Sequence, residues 1–277
     1  MENIRQALER VKASQSAGSE QRNLAGSAVL QLRSEMEIGS AGGNDGQNQE
    51  IELNNVHLQS KRIISHDITD PRSRAFDMLR TQVLQSMDLK GWKTLAVTSP
   101  TPACGKTLTA LNLAISIARQ PDRSVLLVDL DFRKPQVAAC LGLKCDEGVL
   151  SVLEGRTTLS DAIIPARVGN LRFMVLPTAS TIRSSELISS RAMTAMLEDI
   201  KREYHSKTII LDLPPILSGD DVIAILPQMD CVLLVAAVGT TTVAQIKECN
   251  KHLQSAEVVR IALNKVLETS TDHYFYY

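Results

Sequence analysis

The 277-residue sequence has no apolar run approaching the ~20 residues needed to cross a bilayer, and Met1–Glu9 is charged where a secretory leader would be apolar. A cytoplasmic protein with no membrane span of its own is therefore expected. It also lacks a basic tract: 30 Lys and Arg stand against 31 Asp and Glu, interspersed, for a formal net charge of −1. Nucleic acid and direct lipid contact are disfavoured, because both favour a concentrated positive face. The five cysteines, Cys104, Cys140, Cys145, Cys231 and Cys249, are odd in number and include no Cys-x-x-Cys pair. Neither a disulfide framework nor a zinc site is implied.

A hydrophobic content of 44% is enough for a sizeable core. Its distribution is uneven. Ile4, Leu8 and Val11 repeat at helical spacing, and residues 14–49 are then rich in Ser, Gly, Asn, Gln and Glu, which cannot bury enough apolar surface to fold alone. Residues 1–60 read as a short helix on a flexible linker, 61–267 as a domain, and 268–277 as a tail. From Lys93 onward, apolar β-rich runs (94–97, 125–128, 171–176, 208–211, 232–238 and 258–263) alternate with helical patterns (108–119, 184–203 and 241–253). Runs apolar on both faces belong in a sheet covered on both sides, and the intervening helices supply its crossovers. The fold class expected is α/β, with a doubly wound, mostly parallel sheet.

The first of these strands runs into Ser99-Pro-Thr-Pro-Ala-Cys-Gly-Lys-Thr107 and then a helix. A loop of this kind turns backbone N–H groups and a helix N-terminus toward a polyphosphate, while Lys106 reaches the β/γ oxygens and Thr107 offers its hydroxyl to magnesium. ATP and Mg2+ are the ligands implied, with Pro102, Ala103, Cys104, Gly105, Lys106, Thr107 and Leu108 forming the cradle. Pro100 stands in the place of the first glycine of Gly-x-x-x-x-Gly-Lys-Thr. Ala103 stands where glycine is common, and its β-carbon is disfavoured if the position needs positive φ.

Two further strands end in carboxylates: Val125-Leu-Leu-Val-Asp129-Leu-Asp131-Phe-Arg133-Lys-Pro, and Thr208-Ile-Ile-Leu-Asp212-Leu-Pro-Pro. Open α/β sheets bind ligands at this carboxyl edge. Magnesium beside phosphate needs one or two carboxylates, which leaves another to orient or deprotonate a nucleophile, and Arg133 is available to neutralise phosphoryl charge.

These three segments together resemble the Walker A, A′ and B motifs of the bacterial tyrosine kinases of capsule and exopolysaccharide synthesis, over roughly residues 64–277. Val175-Leu-Pro-Thr178 and Ser185-Glu-Leu187 match another stretch of that family. The resemblance implies a P-loop NTPase with a deviant Walker A loop of the ParA/MinD-like type. It implies that Lys106 and Thr107 bind phosphate and magnesium, that Thr107, Asp131 and Asp212 hold the metal, that Asp129 is the base toward tyrosine, and that Asn264 lies near adenine. Lys106, Asp129, Asp131 and Arg133 form the implied catalytic set. ParA- and MinD-like switches usually carry a further lysine near the start of the loop, where this chain has Thr101. A nucleotide-dependent switch without kinase activity, or a structural subunit with a crippled loop, are the alternatives.

Three of the four tyrosines, Tyr274, Tyr276 and Tyr277, fall in the last four residues. In the family resembled, such a cluster is the phosphoacceptor. Full phosphorylation would add roughly −4.5 to −6 charges and repel the tail from an anionic site. The resemblance further implies a membrane-bound chain-length-determinant (Wzz-type) activator, which would recruit the protein to the inner membrane, and rings built through residues 74–80. There, Arg74, Asp77 and Arg80 replace the usual Glu-x-x-Arg-x-x-Arg, beside a stripe of Ala75, Met78, Leu79, Val83 and Met87.

Overall fold

Eight strands form one sheet in the order β1-β4-β5-β3-β6-β2-β7-β8. In chain order they are β1 (Ile51–Glu52), β2 (Thr94–Thr98), β3 (Val125–Asp129), β4 (Ile164–Val168), β5 (Leu171–Leu176), β6 (Thr208–Asp212), β7 (Cys231–Ala237) and β8 (Glu257–Asn264). This computed structural model describes residues 50–179, 181 and 184–266. The Ile4, Leu8 and Val11 repeat and Tyr274, Tyr276 and Tyr277 lie outside the described residues.

Every strand pairing is parallel except that of β4 with β5. The central strands β2, β3, β6 and β7 are buried along their whole length, as runs apolar on both faces require. Two clusters of buried side chains flank them. One joins Leu95, Leu127, Ile210 and Leu233 to helices α1 (Ser73–Lys90) and α2 (Lys106–Ala118). The other joins Leu126, Val128, Leu211 and Leu234 to α3 (Arg191–Glu203) and α4 (Val243–His252). Successive residues of a strand thus feed opposite cores, which is the doubly wound arrangement. No helix among the described residues is long and apolar enough to cross a membrane.

Three sequence expectations change. The folded unit reaches further back than residue 61: β1 pairs with β4, and Leu53 and Leu58 are buried in the first core, so 51–60 is not linker. The stretch 184–203 is two helices, Ser184–Ile188 and α3, because the Ser190 hydroxyl accepts the Met193 N–H and starts a new helix. In α1 the inward stripe is Val83, Leu84 and Met87 with Leu79 beside it, whereas Ala75 and Met78 face outward. Asp77 draws this end of α1 onto α2, accepting from the Ser116 hydroxyl at 2.7 Å and pairing with Arg80 at 3.1 Å and Arg119 at 3.0 Å.

Candidate functional site

The sheet register places the acidic residues. Asp129 at the end of β3 lies directly across from Asp212 at the end of β6, and Val97 of β2 is on the other side of Asp212. The loop leaving β2 and both carboxylate strands therefore meet at one edge.

The loop is held from behind. The Thr98 hydroxyl donates to the Pro214 carbonyl at 2.7 Å, and the carbonyls of Ser99 and Pro100 accept from Ile216 and Leu217. Ala103 has φ of 63°, the conformation that disfavours a β-carbon, and Gly105 follows at 94°. No side chain caps the start of α2, so its first-turn N–H groups are left for an anion. Asn264, at the end of β8, donates from Nδ2 to the Cys104 carbonyl at 2.9 Å and packs against Gly105. The Cys104 thiol is buried beneath the loop, near the hydroxyls of Thr101 and Thr241.

Lys106 Nζ lies 2.8 Å from Asp131 Oδ2 and 3.3 Å from Asp212 Oδ1, and the Thr107 hydroxyl donates to Asp212 Oδ2 at 2.6 Å. Burial opposes the charge on Lys106, but Asp212 and Asp131 outweigh it and hold the ammonium above its ordinary pKa. Asp212 is pushed up by burial, against the pull of Lys106 and the Thr107 hydroxyl. Asp129 is fully buried. Its oxygens accept from the backbone N–H groups of Asp131, Gln136 and Val137, each at 3.1 Å. Burial first, and then the Asp212 charge, push it up to about 8.

A cleft of about 450 Å3 opens in front of these groups, lined by Pro102, Ala103, Gly105, Lys106, Thr107, Leu108, Asp131 and Arg133 among others. The predicted site residues thus fall into a front row on this cleft and a back row of Asp129, Asp212, Cys104 and Asn264. The Arg133 guanidinium pairs with Asp221 at 2.9 Å and donates to the Ser218 carbonyl at 2.9 Å, and Ser185 bonds the other Asp221 oxygen. Two aspartates and a threonine hydroxyl suit magnesium, which takes few protein ligands and completes its shell with water and phosphate. Uncapped N–H groups, a lysine and these three oxygens together fit a magnesium-bound nucleotide phosphate.

Several residues of this edge carry no motif. Asn112, buried in α2, accepts from the N–H groups of Ile64 and Ser65 at 2.8 and 3.0 Å and donates to the Arg62 and Leu108 carbonyls. It ties 62–65 to the helix that follows the loop and so brings Lys61 to the cleft. An asparagine inside the apolar run Leu111-Asn-Leu-Ala-Ile115 was the available sign, since a buried amide must find partners. Asp221 was readable only as one of an adjacent Asp pair.

A loop with Gly-Lys-Thr at a strand-to-helix turn, two strand-end aspartates on its lysine and threonine, and a mostly parallel sheet define a P-loop NTPase of the deviant Walker A type. The AAA domain family matches residues 92–269. The chain belongs to that family, and the curated relatives it resembles are bacterial tyrosine-protein kinases. It is 29% identical to the tyrosine-protein kinase YwqD of Bacillus subtilis over 76% of this chain and 89% of YwqD. It is 30% identical to EpsB of Ralstonia solanacearum over 75% of this chain, and spans only 27% of EpsB. Among solved structures, the kinase domain of the Escherichia coli tyrosine kinase ETK superposes with a TM-score of 0.67 at 25% identity, covering 77% of this chain and 84% of that one.

Proposed function

We propose that the protein is an ATP- and Mg2+-dependent protein-tyrosine autokinase that phosphorylates Tyr274, Tyr276 and Tyr277 of another copy, in the control of exopolysaccharide or capsule polymerisation and export. The observation that carries this reading is the grouping of Lys106, Thr107 and Asp131 on a cleft, bonded to Asp212 behind them and with Asp129 beside it, in a chain whose relatives are tyrosine-protein kinases.

Lys106 and the uncapped N–H groups of α2 would bind the β- and γ-phosphates, and Thr107, Asp131 and Asp212 would hold the magnesium. The metal would supply neutralisation of charge on the phosphate oxygens. In the transfer, the phenol oxygen forms the new bond to the γ-phosphorus, the bond to ADP breaks, and the phenolic proton passes to Asp129. A phenol with pKa near ~10 is a weak nucleophile at neutral pH, so placement contributes most of the rate. Asn264 and Cys104 support the loop, and Arg133 orders the wall formed by Ser218, Ser185 and Asp221.

The Asp129 assignment fixes a pH dependence. An acid whose pKa is raised to about 8 holds its proton below that value, so a base function switches on as pH rises through it. The single-turnover transfer rate at saturating ATP is expected to climb roughly tenfold per unit below the midpoint and then level off, and Asp129→Asn should abolish the climb. A flat profile between about pH 6 and 9 in the unaltered protein would remove Asp129 from this role.

Arg74 is exposed and makes no ion pair among the described residues, while Asp77 is committed to Arg80 and Arg119. With the outward Met78 this supports residues 74–80 as a contact between copies. A membrane-bound chain-length-determinant (Wzz-type) activator that recruits the protein from the cytoplasm to the inner membrane completes the proposal.

The direct test is incubation with γ-labelled ATP and magnesium, with and without such an activator, beside a chain ending at His273. Label on tyrosine in the full chain and none in the shortened one is the expected result. Release of free phosphate without labelled protein would instead favour a nucleotide switch.

A further inference from the structure

Two cations on the cleft are not used by the phosphate chemistry. Lys61 and Lys134 both line it, both are exposed, and neither side chain has an acidic partner among the described residues. Lys106 and Arg133, by contrast, are each bonded to buried carboxylates. Unpaired lysines on a surface are ordinary, but this pair sits at the mouth of a reaction cleft.

Lys61 is also held in place by its backbone. It ends the helix Asn55–Ser60, its N–H donating back to the His57 and Leu58 carbonyls. Arg62 then takes a φ of 61°, and the Asn112 amide donates to the Arg62 carbonyl and accepts from the Ile64 and Ser65 N–H groups. A non-glycine residue is strained in that conformation, and the bonds from the buried asparagine sustain the turn. The result directs the chain so that Lys61 joins Gln136 and Cys140 on the cleft wall. Its charge is felt there: burial pushes the Cys140 thiol up, and Lys61 pulls it back.

The triphosphate already has Lys106, Thr107 and the N–H groups of α2. Additional cations at the rim therefore suit a second anionic partner, and the acceptor is the other reactant the cleft must hold. In this chain Asp272 and Glu268 lie two and six residues ahead of Tyr274. Extended at ~3.3 Å per residue, they would fall about 7 and 20 Å from the reacting tyrosine, the scale of a cleft rim. We propose that Lys61 and Lys134 form a cationic rim that binds carboxylates preceding the accepting tyrosine, so that the site prefers acidic tyrosine segments. This rests on the kinase reading above and names the substrate class of that site.

The test uses full-length chains: the unaltered protein as enzyme and a Lys106→Met chain as acceptor, with initial rates followed against acceptor concentration. Exposed charge pairs contribute up to ~1 kcal/mol each, about fivefold in KM, and a charge reversal roughly doubles that effect on a logarithmic scale. Lys61→Glu and Lys134→Glu should each raise the acceptor KM about tenfold or more, with a smaller effect on kcat, and the penalty should shrink in high salt. Nucleotide affinity, measured separately with a fluorescent ATP analogue, should move less than about twofold. An acceptor carrying Asp272→Lys should recover part of the loss with the Lys61→Glu enzyme, which a merely misfolded variant would not show. An unchanged acceptor KM in both variants, with transfer proceeding, overturns the rim alone. A parallel fall in nucleotide affinity overturns it too, by assigning the lysines to ATP. No tyrosine label from the unaltered enzyme overturns the rim and the kinase reading together.

Discussion

Lys106→Met is expected to lower phosphoryl transfer at least about a thousandfold, the scale lost when a cation is removed from a transferring phosphoryl group. The same change should be felt before any nucleotide arrives. Lys106 stands between Asp131 and Asp212 at 2.8 and 3.3 Å, and all three side chains are largely shielded from water. Methionine fills the space but leaves two carboxylates facing each other, and a buried charge left without its partner costs about 3–5 kcal/mol. Asp212 is already pushed up by burial, and losing the ammonium pushes it further. The folded variant then holds more protons than the unfolded chain above the ordinary carboxylate range, so its stability falls as pH rises. Urea titrations at pH 5.5 and 8 should therefore show a larger deficit against the unaltered protein at the higher pH. Transfer within about tenfold of normal would sink the phosphate-binding role of Lys106.

Gly105→Ala should be nearly as damaging by a different physical route. A β-carbon built at this position falls 2.1 Å from Asn264 Nδ2, and the backbone φ of 94° is one that residues with a β-carbon rarely adopt. Asn264 cannot swing aside freely, because that nitrogen is bonded to the Cys104 carbonyl one residue away. The strain, about 1–3 kcal/mol, adds to a lost buried hydrogen bond of similar size, for about 2–6 kcal/mol in all. Much of it should appear as distortion of the loop, so nucleotide affinity is expected to fall more than about a hundredfold. Adding Asn264→Gly removes the clash but not the backbone strain. It should restore part of the affinity, as read by calorimetric titration of ATP onto the single and double variants. No recovery at all would mean that Asn264 does not set the shape of the loop.

Much of this fold is legible in the sequence because its central strands are apolar on both faces and longer helical patterns alternate with the strand runs. The six strands foreseen all form. The two that were missed have physical reasons. β1 is two residues long, too short for any periodicity, and β4 contains Pro165, which argues against a strand except near an edge. β4 lies between β5 and the brief β1, and a turn through Gly169-Asn170 reverses the chain between β4 and β5. Gly-Asn between two apolar runs is a hairpin sign that could have been used.

The site divides in the same way. Lys106, Thr107, Asp131 and Asp212 could be grouped from their places at strand ends, because register then brings them together. Asn112 and Asp221 act through partners 48 and 88 residues away in sequence, and no local pattern encodes such distances. The conformation of Ala103 was foreseeable as a condition: the loop needs positive φ at that position, and the chain accepts the strain there.

The pairing of Asp129 with Asp212 across β3 and β6 has a consequence for how activity responds to damage elsewhere. Side chains alternate faces along a strand, so a slip of one residue would carry a carboxylate to the far side of the sheet rather than displace it slightly. Register admits no intermediate placement of this pair. A core substitution that leaves the strands in register is therefore expected to lower the fraction of folded copies more than the turnover of each one.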